Sequence, residues 1–97
     1  MPSPILTTIA TGFDDAVGSA YRVTKDQLLI ADAGARTIVA VTAHAHVKTT
    51  VGTGYGGPSD IALSNDGLHA YITDSPGSLL RVPLSNLNHS AATVVVQ

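Results

Sequence analysis

The stretch at residues 49–58, Thr-Thr-Val-Gly-Thr-Gly-Tyr-Gly-Gly-Pro, is a β-prone run that ends in a glycine-rich turn. A weaker copy lies 42 residues upstream at residues 7–13, Thr-Thr-Ile-Ala-Thr-Gly-Phe. A fixed period of this length is typical of repeat proteins, so the sequence predicts two copies of one structural unit. The same offset aligns further pairs of residues: Ala20 with Ala62, Leu29 with Tyr71, Ile30 with Ile72, Asp32 with Asp74, Ile38 with Leu80, and Ala40 with Val82.

The composition favours an all-β chain. The 97 residues suffice for one small domain or a few short repeats. Only 12% of the residues are charged, glutamate is missing, and the lysines are Lys25 and Lys48. Helices usually carry Glu, Lys and Arg on their exposed faces, so this scarcity argues against helix. Nine glycines and five prolines, with many threonines and valines, fit short strands joined by turns.

Charge and cysteine usage exclude several classes of partner. The formal net charge is −2 and the five cations are scattered, so a nucleic-acid partner is not expected. The chain has no cysteine, which removes disulfides and thiolate metal sites but leaves the compartment open. The N-terminus lacks the pattern of a signal peptide. No apolar run approaches the roughly 18 residues of a membrane span, so we expect a soluble chain with no membrane partner.

Turn signals divide the chain into nine predicted strands and no helix. Residues 27–31 and 69–73 have the continuous apolar pattern of strands buried on both faces. The small residues Gly18, Ser19 and Ala20 predict a close approach by another segment. The predicted strands cover residues 5–11, 17–23, 27–31, 37–42, 47–51, 60–64, 69–73, 79–84 and 92–96.

Sheets that are apolar on both faces must be covered on both sides. A face-to-face stack of like sheets does this, and closing the stack into a ring also covers its ends. The sequence therefore predicts two four-stranded antiparallel blades of a β-propeller, at residues 13–54 and 55–97. Residues 1–12 then hold a spare outer strand. Either this strand or the one at 92–96 is displaced, or the first strand of one chain completes a neighbour's blade as a clasp.

Two stretches resemble a known family. Residues 28–41, Leu-Leu-Ile-Ala-Asp-Ala-Gly-Ala-Arg-Thr-Ile-Val-Ala-Val, resemble the core of an NHL repeat, in which an apolar strand ends in Ala-Asp before a turn, Arg-Ile and a third strand. Residues 56–67, Gly-Gly-Pro-Ser-Asp-Ile-Ala-Leu-Ser-Asn-Asp-Gly, look like the opening of such a blade. The resemblance covers nearly the whole chain. It implies a propeller fold, of which this chain is an excised, engineered or ancestral-type fragment.

Two blades are too few for a closed propeller, which uses roughly four to eight. A monomer with two free apolar sheet faces has the kind of exposed patch that marks an interface. We therefore expect identical chains to associate head to tail into a ring. Six blades suit NHL-like units, which favours a trimer. Closed rings of four or five chains are the alternatives.

Five residues are candidates for a ligand site at the mouth of the propeller channel: Asp14, Asp15, Ser59, Asp60 and Tyr55. The acids and the serine precede the innermost strand of each unit, where loops carry most ligand sites. A site there would take a cation or a small polar ligand. The alternative is that these are solvated loop residues.

Other polar residues have a structural and a functional interpretation. Asp32 and Asp74 would form a carboxylate ring for Ca²⁺ or, as their repetition favours, accept backbone hydrogen bonds in an Asx-type turn. The pair His44 and His46 is half of a transition-metal site or, as we favour, a solvated loop. His69 and His89 are read as surface or strand-end residues.

No residue is predicted to be catalytic, and no cofactor or metal is expected. The chain lacks a Gly-x-Ser-x-Gly elbow. Its glycine-rich turn at residues 52–57 leads into a strand, whereas a dinucleotide fingerprint opens a helix. The favoured function is a non-enzymatic, self-assembling scaffold. The alternative is a binding module for a carbohydrate, peptide or other polar ligand. An enzyme like the propeller lactonases and lyases comes third, because short repeats hardly supply their asymmetric ligand sets.

Overall fold

The computed structural model describes residues 11–96 as two four-stranded antiparallel sheets in which neighbours in sequence are neighbours in space. This confirms the predicted all-β class and the two four-stranded sheets. The predicted strand at 5–11 lies outside the described residues, apart from Thr11, so the clasp stays a prediction. The first sheet contains β1 Ala16–Arg22, β2 Gln27–Asp32, β3 Thr37–Thr42 and β4 Lys48–Gly52; the second contains β5 Pro58–Leu63, β6 His69–Asp74, β7 Ser78–Pro83 and β8 Thr93–Val96.

Two single-turn 3-10 helices interrupt this pattern, so the prediction of no helix was wrong there. One, Val23–Lys25, lies in the β1–β2 turn, which ends at Asp26 with a left-handed backbone (φ 47°). The other, His89–Ala91, lies between β7 and β8. Turns of three residues are too short to show a helical period in the sequence. Neither these nor any other helix within residues 11–96 has the length and apolar character needed to cross a membrane.

The third strands of the two sheets are not related by the 42-residue offset. Asp32 pairs with Thr37 across the β2–β3 turn, whereas Asp74 pairs with Ser78 across the β6–β7 turn. The second turn is therefore one residue shorter, and Ile38 corresponds to Leu79. The alignment of Ile38 with Leu80, and of Ala40 with Val82, was wrong for this reason. A shift of one residue moves a side chain to the other face of a sheet.

This register defines two faces that are common to both sheets. The front face carries the cross-strand row Ala20, Leu29 and Ala40 in the first sheet. The corresponding row in the second sheet is Ala62, Tyr71 and Arg81. The back face carries Ser19, Ile30 and Val39 in the first sheet, and Ile61, Ile72 and Leu80 in the second.

The core lies in the seam between the front face of the first sheet and the back face of the second. Leu29, Ala31, Ile38 and Ala40 pack in one cluster with side chains of β5, β6 and β7. Burying a large apolar side chain such as Leu29 or Ile38 stabilises the fold by roughly 1.5–3 kcal/mol. The members from the second sheet and its connections are Tyr55, Ile61, Ala70, Ile72, Leu80, Val82, Leu84 and Leu87.

The edge strands β1 and β5 pack closely against each other at Gly18. A Cβ atom at Gly18 would lie 2.5 Å from the Ser59 carbonyl oxygen and 2.7 Å from the Asp60 Cα. The close approach predicted from the small residues of β1 is thereby confirmed.

The connection at residues 84–92 fills the space between the outer strands. Its Leu87 is buried, and a Cβ atom at Gly52 would lie 2.4 Å from the Leu87 carbonyl oxygen. The His89 N–H donates to the Thr53 carbonyl at 2.9 Å, and the Thr53 N–H donates to Asn88 Oδ1 at 3.1 Å. The corresponding connection in the first sheet, residues 43–47, is shorter. The longer one ties the outer edge of the first sheet to the second sheet.

Candidate functional site

A buried aspartate at the end of the second strand organises the predicted mouth in each sheet. The N–H groups of Asp14 and Asp15 donate to Asp32 Oδ2 and Oδ1 at 3.0 and 2.7 Å. One repeat later, the N–H groups of Gly56 and Gly57 donate to Asp74 Oδ2 and Oδ1 at 3.2 and 2.9 Å. Each carboxylate therefore fixes the segment that leads into the innermost strand.

These contacts bear on the two interpretations of Asp32 and Asp74. Both residues are buried, with 3% and 6% of their surface exposed. Burial by itself raises the pKa of Asp32, but hydrogen bonds from the N–H groups of Asp15, Asp14 and Ala35, with the positive charge of Lys48, bring that pKa below its usual value. The carboxylate oxygens are occupied by backbone donors, which agrees with the structural interpretation. Most of these donors come from the preceding segment, however, and only the Ala35 N–H, at 3.4 Å, belongs to the turn itself.

The other mouth candidates fall in different environments. Asp14 and Asp15 are exposed. Ser59 Oγ lies 2.9 Å from Thr73 Oγ1 across the β5–β6 pair. Exposed Asp60 accepts the N–H of Ile61 on its own Oδ1 at 2.9 Å. The structure brings Ser59 and Asp60 against Gly18 of β1, which places them at the inner edge of the seam.

Tyr55 lies in the core. Only 2% of its surface is exposed, and its hydroxyl donates to the Leu87 carbonyl. Its ring meets the His89 ring edge-on, with the centroids 5.4 Å apart. Burial, with the charge of Asp74, raises the pKa of Tyr55 to about 12. A buried ring that holds a loop cannot serve as a stacking surface for a ligand at the mouth.

The histidines of the β3–β4 connection lie at an exposed turn. His44 Nδ1 contacts the carboxylate of Asp26, which also accepts the Tyr21 hydroxyl. The hydrogen bond from Tyr21, followed by that from His44, lowers the pKa of Asp26. Across residues 11–96, no three His, Cys, Asp or Glu side chains converge as metal ligands would. His44 is thus a partner of Asp26, and the structure adds no third ligand to the predicted half site.

The sequence did not single out two clefts at the end of the seam where β1 ends, of which one is mainly polar. Two clefts of about 320 and 340 Å³ lie side by side there, and both are lined by Arg22 and Leu84. Arg22 Nε is buried and makes no hydrogen bond within the described part of the chain. One feature of the sequence could have indicated this site. Arg22 follows Ala20 by two residues, so it lies on the same face of β1 as the small residues Gly18 and Ala20.

These features define the class of protein as all-β, with two stacked four-stranded antiparallel sheets. Comparisons of the chain with protein-family models, with curated proteins and with solved structures found no match. Function is therefore inferred from the seam, the free sheet faces and the clefts.

Proposed function

We propose that the chain is a non-enzymatic, NHL-like two-blade unit that assembles head to tail with copies of itself into a closed β-propeller. Three chains then supply six blades. The observation that carries this proposal is the front-to-back packing of the two sheets.

A front-to-back seam can be repeated, whereas a front-to-front seam cannot. The front-face residue Leu29 packs in one cluster with the back-face residues Ile72 and Leu80 of the second sheet. Such a contact leaves a back face on the first sheet and a front face on the second. A heterologous contact of this kind continues from copy to copy and closes where the rotation permits. In a simple two-sheet sandwich the two sheets would pack through equivalent faces. The same contact could then not be repeated with a further copy of the chain.

Both free faces carry apolar side chains. On the free front face of the second sheet, Tyr71 and Leu79 are half-buried. On the free back face of the first sheet, a groove of about 330 Å³ is lined by residues 16–19 and Ile30. Val17 in this groove is 48% exposed. Val39, further out on the same face, is already buried. The area left for a neighbour is therefore the part nearest β1, which is also where β1 and β5 meet inside the chain.

The repeated seam differs from the seam within the chain at several positions, among them the point where β1 and β5 meet. Asp60 corresponds to Gly18 in the register and is exposed, and its Oδ1 would lie 3.1 Å from a Cβ at Gly18. The close approach between β1 and β5 depends on the missing Cβ of Gly18. Asp60 has the Cβ that Gly18 lacks, so the seam between chains must be wider at Asp60 than the seam within the chain, and it has a carboxylate at its edge.

We expect Asp60→Gly to strengthen association about tenfold or more, because it removes both an overpacked side chain and a charge that loses water on contact. The measurement is the dissociation constant from sedimentation velocity over a range of protein concentrations. Asp60→Asn is the matched control: it keeps the size of the side chain and removes the charge, so it separates the two causes. Unchanged or weaker association of Asp60→Gly would contradict the proposed seam.

A further inference from the structure

The outer of the two clefts presents hydrogen-bond donors and positive charge. Arg22 and Lys25 line it together with the polar side chains of Gln27, Ser85 and Asn86. These two residues are two of the chain's five cations, in a protein whose net charge is −2. The cleft lies between the two sheets of one chain, so it does not depend on assembly into a ring.

No acidic residue lines either cleft in the region that the structure covers. The two nearest aspartates in sequence have other partners. Asp26 contacts Tyr21 and His44. Asp66 accepts the Leu68 N–H at 3.0 Å. Neither Arg22 nor Lys25 forms an ion pair with a carboxylate within residues 11–96.

Arg22 has a donor without an acceptor. Its Nε atom is buried in the seam and has no hydrogen-bond partner among residues 11–96. Buried polar atoms are nearly always paired in folded proteins, and an exception calls for an explanation. Because Nε is buried, a ligand in the cleft would meet the terminal nitrogens of this guanidinium, which can donate in parallel to two oxygens of one carboxylate or phosphate group.

We propose that the outer cleft is a binding site for an oxyanion, the carboxylate or phosphate group of a small polar molecule, with Arg22 as the bidentate donor. Lys25 adds charge at the rim, and the Gln27 and Asn86 amides contact the rest of the ligand. The volume of about 340 Å³ lies at the small end of ligand pockets. It fits a metabolite-sized molecule better than a polymer.

The test is a titration of the full chain followed by NMR at the arginine Nε–Hε groups, at constant ionic strength. Inorganic phosphate and succinate are the two probes, and the one that saturates at lower concentration identifies the preferred oxyanion. We expect a saturable shift of the Arg22 signal. The signals of Arg36 and Arg81, both exposed outside the clefts, serve as controls in the same spectrum and should stay in place.

Two variants complete the test. Arg22→Gln should weaken binding tenfold or more, because it removes a charged bidentate donor. Lys25→Gln should weaken binding a few-fold, and Arg36→Gln should leave it unchanged. If Arg22→Gln does not fold, the shift of the wild-type Arg22 signal and the affinity of Lys25→Gln still test whether the outer cleft binds the oxyanion. A shift that rises linearly without saturation, or equal shifts at all three arginines, would overturn the proposal.

Discussion

Asp32→Ala is expected to lower the free energy of unfolding by about 3–5 kcal/mol, since it leaves several backbone N–H groups without their charged acceptor. The N–H groups of Asp14 and Asp15 both point at this carboxylate, and Asp32 is only 3% exposed. The measurement is urea-induced unfolding, with the midpoint and slope fitted for each variant. Asp74→Ala, which frees the N–H groups of Gly56 and Gly57, should behave in the same way.

The matched control is Asp32→Asn, which keeps one oxygen acceptor and places an NH₂ group opposite the second donor. Its free energy of unfolding should fall by less than that of Asp32→Ala. If the free energies of unfolding of Asp32→Ala and Asp32→Asn were both within about 0.5 kcal/mol of the wild-type value, the carboxylate would not hold the segment at Asp14 and Asp15.

Asp32 also gives the expected pH dependence. Its pKa is lowered in the folded chain, so its contribution is fully present above the unfolded value of about 3.9 and is lost as the pH falls through the folded pKa. We expect the wild type to lose stability in acid below about pH 4, and Asp32→Asn to show a shallower loss over the same range.

Gly18→Ala is expected to destabilise the chain by about 2–3 kcal/mol, because the added Cβ overpacks the seam. Its nearest neighbours would be the Ser59 carbonyl oxygen and the Asp60 Cα. Both are backbone atoms of β5, so neither can rotate away and the two sheets must separate. The measurement is the thermal unfolding midpoint, which should fall by roughly 4–8 °C for each kcal/mol lost.

Ser19→Ala is the control for this substitution. Ser19 is the next residue in β1, lies on the opposite face and is exposed, so its loss should change stability by less than about 0.5 kcal/mol. If Gly18→Ala were as stable as Ser19→Ala, β1 and β5 would not be in contact as described.

The positions of the strands could be predicted from the sequence because the pattern of apolar and turn residues that defines a strand is local. The third strand was predicted at 37–42 and is observed at Thr37–Thr42, and the ends of the other described strands agree to within two residues. The register of the second sheet was not predictable in the same way. Leu80 and Val82 were matched to Ile38 and Ala40 at the fixed offset of 42 residues, but a turn one residue shorter places them on the other face.

The candidate site depended on contacts that are distant in sequence. Repetition correctly favoured hydrogen-bonding roles for Asp32 and Asp74, although it did not identify their donors. Tyr55 was a candidate for the mouth as one of the few aromatic rings, yet residues 84–92 fold over it and bury it. Arg22 matches no motif. The burial of its Nε atom without a hydrogen-bond partner arises only when the two sheets come together.

Native mass spectrometry at low micromolar concentration is the direct test of whether the free faces join copies of the chain into a ring. A ring of six blades predicts one species with the mass of three chains. It further predicts that Val17→Lys, in the groove of the free back face, gives monomers, whereas Val23→Lys, at the 75% exposed valine of the β1–β2 turn, stays trimeric. Four or five chains would support the ring but not six blades. A wild-type chain that remains a monomer would contradict the proposed ring.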